Sequence, residues 1–156
     1  MRVGIGYDSH RFSDEAPLVL GGVRVPDHPG LLGHSDGDAV AHAVIDAVLG
    51  AAGEGNVGAH FPPTDPRWRG SDSIGLLSRV GELLAQRGWT VVNVDVVVVC
   101  ESPKVGPLAP RMRQRLGGAL GVSPSMISVK GKSNEGLGWI GAGEGLAVHA
   151  IALVTR

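Results

Sequence analysis

The chain has 156 residues, of which 43% are hydrophobic and 19% charged, and its formal net charge is −1 at pH 7. This balance predicts one globular domain and excludes a disordered chain, while the absence of a global basic field argues against binding to nucleic acid or to an anionic membrane. The apolar runs are too short to span a bilayer. Cys100 is the single cysteine and the N-terminus has no targeting character, so the sequence indicates a cytoplasmic protein.

The first half of the chain predicts two strands and two helices. In chain order, the predicted segments are a strand at 2–10, a polar connection at 13–17, a strand at 18–25, a helix at 38–52, an irregular proline-rich segment at 53–68 and a helix at 72–87. Ser35 or Asp36 is the predicted cap of the first helix. Ser71 is the predicted cap of the second helix, and Gly88 ends it.

The second half alternates strands with one more helix. The predicted segments are a strand at 91–100, a helix that follows Pro107 and ends near Gly121, and strands at 126–132 and 145–154. The valine run at 96–99 is too apolar for an exposed strand, so this strand should be central or covered on both faces. The order predicts an α/β fold with α+β-type layers, in which residues 1–156 form a single domain whose mixed sheet is covered by helices.

Asp8, His10 and His42 form a candidate metal site. Asp8 and His10 lie two residues apart at the end of the first strand, so their side chains share a face, and His42 lies on the first helix. One oxygen and two nitrogens are a ligand set that leaves a position open on Zn²⁺. Asp38 or Asp46, each four residues from His42, could orient its imidazole. The alternative is a solvated polar strand end and a histidine paired with helix carboxylates.

Two further clusters are candidates for phosphate binding. Residues 34–38 (His-Ser-Asp-Gly-Asp) begin the first helix, where backbone N–H groups suit a phosphate, although ordinary helix capping also explains them. Lys130, Lys132, Ser133 and Glu135 lie in a glycine-rich segment that could hold a diphosphate with its Mg²⁺. The alternative for that segment is a polar hairpin loop.

Several motifs occur together in one order along the chain. They are Gly6-Tyr7-Asp8-Ser9-His10-Arg11-Phe12, Gly21-Gly22-Val23, His34-Ser35-Asp36-Gly37-Asp38, His42, Phe61-Pro62-Pro63-Thr64-Asp65-Pro66, Asn93-Val94-Asp95, Pro103-Lys104 and Glu135-Gly136-Leu137-Gly138. In this combination the chain resembles the 2-C-methyl-D-erythritol 2,4-cyclodiphosphate synthases over essentially its whole length. The resemblance implies a homotrimer with active sites between neighbouring subunits. It also implies a lyase of non-mevalonate isoprenoid synthesis that converts 4-diphosphocytidyl-2-C-methyl-D-erythritol 2-phosphate to the cyclic diphosphate and CMP.

The resemblance also implies roles for individual residues. The metal ligands are Asp8, His10 and His42 for one Zn²⁺ per subunit, and Glu135 for Mg²⁺ or Mn²⁺ on the substrate diphosphate. The residues that stabilise the transition state are His34 and Ser133. The substrate-binding positions are Ser9, Ser35, Asn56, Val57, Gly58, Phe61, Pro62, Pro63, Thr64, Asp65, Cys100, Pro103, Lys104, Val105, Gly106, Lys132, Asn134 and Trp139. Among these, 100–106 match the cytidine-diphosphate pocket and 61–65 match a loop that closes over the erythritol.

Four positions depart from the family pattern. Asn56 stands where an Asp commonly contacts the erythritol hydroxyls, and Lys132-Ser133 replaces a Thr-Thr pair, although Ser133 keeps a hydroxyl. Ala142 replaces an Arg that provides an anion site on the trimer's central cavity. Two other functions fit the same residues: a metal-dependent phosphohydrolase with an activated water on Zn²⁺, and a non-catalytic trimeric module that binds metal or nucleotide.

Overall fold

The chain begins with one long strand and a tight hairpin. In the computed structural model, which describes residues 1–33 and 35–156, β1 spans Arg2–Leu20 and pairs with β2, Val23–Leu31. The predicted break at 13–17 and the predicted strand at 18–25 are therefore wrong. The chain turns at Gly21 and Gly22, whose φ angles are +56° and +72°. A two-residue hairpin loop needs such angles, and glycine adopts them without strain.

The five strands form one mixed sheet in the order β2-β1-β5-β3-β4. The remaining strands are β3 at Thr90–Val99, β4 at Ile127–Lys132 and β5 at Gly145–Thr155. In the described part of the chain, β3 and β4 form the one parallel pair, and the other neighbouring strands are antiparallel. The predicted mixed sheet is confirmed, and so is the central place of the valine-rich strand, because β3 lies between β5 and β4. The bounds of these three strands agree with the prediction to within one residue at each end.

The three predicted helices are present, and two short ones were not predicted. The helices are α1 at Ala39–Ala52, α2 at Val57–His60, α3 at Ser73–Gln86, α4 at Ala109–Leu120 and α5 at Gly138–Gly141. Short 3-10 turns lie at Pro66–Trp68, Gly106–Leu108 and Pro124–Met126. The predicted caps are wrong, because Asp38 accepts the N–H of Ala41 in the first turn of α1 and Asp72 accepts that of Ile74 in the first turn of α3. Among the described residues, no helix has both the length and the apolar character needed to cross a membrane.

Helix α1 lies directly against β1, and two glycines of the strand allow this close approach. A Cβ added to Gly4 would stand 2.1 Å from the carbonyl oxygen of Ala47, and one added to Gly6 would stand 1.9 Å from that of Ala43. Small residues on both elements therefore set the distance between them. The same contact brings the next inward-facing residue of the strand, Asp8, close to His42 on the helix.

The opposite face of β1 and β5 exposes apolar side chains. Val3 and Ile5 are 68% and 69% exposed, and Ile151, the partner of Ile5 in the ladder, is 50% exposed. Tyr7 continues this row, and its ring lies 5.0 Å from that of His149, centroid to centroid. The sheet thus covers its inner face with helices and leaves an apolar outer face on the described chain.

Candidate active site

The predicted metal ligands converge where β1 meets α1. The Oδ2 atom of Asp8 lies 3.2 Å from Nδ1 of His10 and 3.2 Å from Nδ1 of His42. One ligand atom from each residue falls within 4.8 Å of the others, and all three side chains are partly buried. Strand alternation places Asp8 and His10 on the face that α1 covers, and the glycine contact brings the helix into reach.

This arrangement fits a zinc ion. With bonds of about 2.0–2.1 Å, neighbouring ligand atoms of a tetrahedral zinc site lie about 3.3 Å apart, close to the two separations between Asp8 and the imidazoles. His10 Nδ1 is buried, and although Asp8 Oδ2 lies 3.2 Å away, no described residue meets this nitrogen with hydrogen-bond geometry. A buried nitrogen of this kind is costly unless it binds something, and a metal ion would satisfy it.

The charges at this site are coupled. Burial raises the pKa of Asp8, but its interactions with the imidazoles of His10 and His42 outweigh this effect, so the pKa lies below the usual range. Burial lowers the pKa of His42, but the Asp8 carboxylate outweighs it, with smaller contributions from Asp38 and Asp36, so the pKa lies above the usual range. A proton on His42 therefore competes with a metal ion for the same carboxylate-lined position.

The second nitrogen of His42 is held by two serines. Its Nε2 lies 3.1 Å from Ser35 Oγ and 3.0 Å from Ser73 Oγ. Ser73 is fully buried at the start of α3, and its hydroxyl donates to the Asp36 carboxylate. With that hydroxyl donating to Asp36, its oxygen is free to accept from Nε2–H, so the Nδ1 atom can give up its proton and bind a metal ion while Nε2 stays protonated. No sequence pattern identified Ser73, which lies 31 residues from His42.

The predicted role of Asp38 and Asp46 toward His42 is wrong. Asp38 is fully buried and accepts N–H groups from Gly21, Gly22 and Ala41, so it joins the hairpin turn to α1. Burial raises its pKa to about 6, although these N–H groups oppose the shift. Asp46 accepts the N–H of Val57. Both carboxylates are used to hold backbone in place.

A cavity of about 690 Å³ opens over the metal ligands. Its lining residues are Asp8, His10, Leu32, Gly33, Ser35, His42, Val57, Gly58, Phe61, Pro63, Trp68 and Leu76. Of the residues predicted to contact or close over the erythritol, Phe61 and Pro63 line this cavity, whereas Asn56, Pro62, Thr64 and Asp65 do not. The predicted substrate-binding residues Ser35, Val57 and Gly58 also line it, and Leu32, Gly33, Trp68 and Leu76 were not predicted. Asn56 lies beside the cavity as the cap of α2, since its Oδ1 accepts the N–H of Ala59 at 3.0 Å.

A second cavity, of about 360 Å³, lies beyond the end of β3. Its lining residues are Cys100, Pro103, Lys104, Val105, Gly106, Pro107, Gly131, Lys132 and Ser133. These include most of the predicted cytidine-diphosphate positions. Burial raises the pKa of the Cys100 thiol, with a further contribution from Glu101, so this thiol stays protonated.

Next to this second cavity, a loop at 133–137 carries Glu135. The Ser133 hydroxyl donates to Glu135 Oε1 at 2.8 Å, and the Asn134 amide donates to the carbonyl of Leu137 at 2.7 Å. Glu135 is exposed, so its carboxylate is free to meet a ligand from outside the chain. The loop therefore presents the hydroxyl and carboxylate oxygens that a Mg²⁺ ion prefers.

The two cavities lie at the same level along the strands, on either side of β5. Ser9 on β1 and Val99 on β3 are both paired with Ala147 of the intervening strand β5. Ser9 and Trp139 line a small neighbouring depression. His34, the other residue expected to stabilise the transition state, lies outside the described residues.

Known proteins of one family match this chain over nearly its whole length. The YgbB family model matches residues 1–155. The 2-C-methyl-D-erythritol 2,4-cyclodiphosphate synthase of Symbiobacterium thermophilum is 53% identical over 154 residues, which cover 99% of this chain and 98% of the relative. That of Pelotomaculum thermopropionicum is 54% identical over 156 residues, with 100% and 96% covered.

Solved structures of this kind superimpose closely on the chain. The synthase from Plasmodium vivax has a TM-score of 0.85 at 33% identity, with 99% of this chain and 97% of that chain covered. A synthase structure described as the bound form with CDP has a TM-score of 0.89 at 37% identity, with 99% and 100% covered.

Proposed function

Because this chain belongs to the YgbB family, we propose that it converts 4-diphosphocytidyl-2-C-methyl-D-erythritol 2-phosphate into 2-C-methyl-D-erythritol 2,4-cyclodiphosphate and CMP. Its relatives are cyclodiphosphate synthases, lyases of the non-mevalonate isoprenoid pathway. The observation that carries the proposal is the convergence of Asp8, His10 and His42 inside a cavity large enough for a small phosphorylated alcohol.

The reaction needs no nucleophile from the protein. An oxygen of the substrate's 2-phosphate attacks the β-phosphorus, and the new P–O bond closes the ring. The bond between the β-phosphorus and the bridging oxygen breaks, and CMP leaves with that oxygen. The protein must fold the substrate so that the attacking oxygen and the leaving group are in line, and such positioning contributes roughly 7–11 kcal/mol. Two neighbouring binding cavities can supply this positioning, and no reactive side chain is needed.

Two metal sites fit the donor sets on the chain. Asp8, His10 and His42 would hold Zn²⁺, and Glu135 would hold Mg²⁺ or Mn²⁺ together with the substrate diphosphate. When bound, the cations neutralise the charge that develops on the phosphoryl oxygens. The Ser133 hydroxyl lies beside Glu135 and can donate to the same oxygens.

The two cavities fit the two ends of the substrate. Lys104 and Lys132 supply positive charge at the second cavity, which suits the diphosphate of a cytidine nucleotide, and a solved relative is described as bound to CDP. Val57, Gly58 and Phe61 line the cavity over the metal ligands, where the methylerythritol would lie. Asn56 can present its amide to a substrate hydroxyl while its Oδ1 caps α2.

The active form that we propose is a homotrimer whose sites lie between subunits. The exposed apolar face of Val3, Ile5, Tyr7 and Ile151 supports burial of this side of the sheet against other subunits. The cytoplasmic location stays a prediction, supported by the lone cysteine.

The direct test is product analysis. The purified protein, loaded with Zn²⁺, is incubated with the substrate and Mg²⁺, and the products are examined by ³¹P NMR and mass spectrometry. We expect stoichiometric CMP and cyclic diphosphate, and an Asp8→Ala variant as the matched control should form neither. A linear methylerythritol product in place of the ring would identify a phosphohydrolase instead, and no turnover with tight CDP binding would indicate a binding module.

A further inference from the structure

Glu101 is a carboxylate with an unusual pair of donors. Its Oε1 accepts the backbone N–H of Asn134 at 2.9 Å and the backbone N–H of Gly136 at 3.2 Å. The two donors flank Glu135, and this loop lies more than thirty residues after Glu101 in the chain. One oxygen atom therefore fixes the backbone on both sides of the residue that would hold the second cation.

The backbone at Glu135 needs such support. Its φ angle is +53°, and Glu135 and Asp27 are the only two non-glycine residues in the described chain with positive φ. The left-handed conformation costs an ordinary residue about 1–2 kcal/mol. In this conformation the N–H groups on either side point the same way and form a small concave site for an anion. The Glu101 carboxylate occupies that site and so favours the conformation.

We propose that Glu101 is a positioning residue for the second cation. It holds the 133–137 loop so that the Glu135 carboxylate and the Ser133 hydroxyl face the substrate diphosphate together. This inference rests on the proposed function, because it assigns Glu135 to the cation on that diphosphate. It extends the function to a residue that touches neither the cation nor the substrate.

Glu101 lies in the same short segment as residues that line the nucleotide cavity. Glu101 follows Cys100 and precedes Pro103 and Lys104, which line the nucleotide cavity. The same short segment thus shapes the cytidine-diphosphate pocket and holds the cation loop. Additional support comes from the N–H of Cys100, which donates to the carbonyl of Lys132 at 2.9 Å. The cation loop and the nucleotide pocket are therefore held as one unit.

The test compares three changes at Glu101 with one control. Glu101→Ala removes the acceptor, Glu101→Asp retracts it by one methylene and keeps the charge, and Glu101→Gln keeps an oxygen in the same place. Glu82→Ala, an exposed glutamate on α3, is the matched control. Zinc content and thermal melting are recorded for all four variants, so that a variant that does not fold is recognised.

The first readout is the Mg²⁺ dependence of the rate at saturating substrate. We expect Glu101→Ala to raise the Mg²⁺ concentration for half-maximal rate about tenfold, because two hydrogen bonds to a charged group are lost. Glu101→Asp should raise it by several-fold, and Glu101→Gln should stay within about threefold of the wild type because its carbonyl still accepts. Glu82→Ala should show no change.

The second readout does not depend on turnover. Mn²⁺ binding to the CDP-saturated protein is titrated by EPR, and hydrogen exchange at the amides of residues 134 and 136 is followed by NMR. Weaker Mn²⁺ binding and faster exchange at both amides are expected in Glu101→Ala, and neither in Glu82→Ala. A role limited to general stability would speed exchange across the chain without changing the Mn²⁺ affinity.

The outcomes separate this inference from the proposed function. If the wild type makes cyclic product but folded Glu101→Ala or Glu101→Asp keeps the wild-type Mg²⁺ dependence and Mn²⁺ affinity, the positioning role is wrong and the function stands. If the wild type makes no cyclic product, the proposed function is wrong, and the Mn²⁺ and exchange measurements still decide whether Glu101 holds a cation-binding loop.

Discussion

His42 shows how much a single side chain depends on three separate elements. Its Nδ1 faces Asp8 on β1, and its Nε2 faces Ser35 before α1 and Ser73 on α3. Each ring nitrogen therefore has a different task, one toward the metal position and one toward the protein. Such division is what fixes the tautomer and direction of a metal-binding imidazole.

Replacement of His42 should abolish zinc retention. His42→Ala removes one of three ligands and leaves an aspartate and a single imidazole, which hold zinc far more weakly. The matched control is His60→Ala, because His60 bonds the carbonyl of Glu54 and lies outside the ligand set. We expect the zinc content of purified His42→Ala to be near zero, and that of His60→Ala to be near one per subunit. Stoichiometric zinc in folded His42→Ala would contradict the assignment.

Ser73→Ala should weaken zinc binding without removing a ligand. The loss of one hydrogen bond to Nε2 frees the imidazole to rotate, and changes to such supporting groups commonly lower metal affinity by about 10–100-fold. We expect the lower end, about tenfold, because Ser35 still contacts Nε2. The measurement is zinc competition against a chelator. Ser78→Ala is the control, since Ser78 bonds only within α3, and an equal effect of both changes would disprove the role of Ser73.

At the scale of elements, Asp38 joins the hairpin turn to the first helix. Asp38→Ala leaves the N–H groups of Gly21, Gly22 and Ala41 without their acceptor in a buried place. We expect the free energy of unfolding to fall by about 3 kcal/mol, measured by urea denaturation at fixed protein concentration. Asp72→Ala removes an exposed cap from α3 and should cost only about 1 kcal/mol. Equal losses in the two variants would show that the link to the hairpin contributes nothing.

Elements with a strong local period could be predicted from the sequence, whereas elements set by distant partners could not. The apolar spacing of α1, α3 and α4 and the valine run of β3 placed these elements correctly. The pattern of β1 failed because residues on both sides of the polar segment pair with β2: Ser13 pairs with Gly30 and Pro17 with Pro29, and residues 14–16 between them bulge out of the ladder. A polar segment predicts a loop, but it can equally form a β-bulge within one continuous strand.

The same distinction applies to the residues of the candidate site. Asp8, His10 and His42 could be identified because strand and helix periods place them on inward faces, and the family motifs then joined the two elements. Ser73 and Glu101 could not be identified, because each acts on a residue more than thirty positions away along the chain. Their roles follow from packing of α3 and from the left-handed turn at Glu135, and neither leaves a local sequence pattern.

At the scale of the whole molecule, the proposed homotrimer places each active site between two subunits. The metal ligands and the Lys104 cavity lie close together on one chain, because Ser9 on β1 and Val99 at the end of β3 pair with the same residue of β5, Ala147. The alternative to the proposed shared site is a site built within one subunit from the same two cavities. The exposed apolar face of the sheet favours assembly, and a complementation experiment separates the two arrangements.

The experiment uses two inactive variants, Asp8→Ala and Lys104→Ala. Each homotrimer should be nearly inactive, because every site carries one lesion whichever arrangement holds. The two variants are then dissociated together at equal concentration and reassembled, and the mixed trimers are confirmed by native mass spectrometry. Random mixing makes about three quarters of the trimers mixed. The measurement is the rate of cyclic product formation before and after mixing.

A shared site should recover activity on mixing. Around any mixed ring, one junction has a Lys104→Ala subunit supplying intact metal ligands and an Asp8→Ala neighbour supplying an intact nucleotide pocket. One of three sites is therefore restored in each mixed trimer, and we expect about one quarter of the wild-type rate from the equal mixture. If both halves belong to one chain, every site keeps a lesion, because no exchange of subunits can repair it. Mixed trimers as inactive as their parents would thus place the whole site within a single subunit.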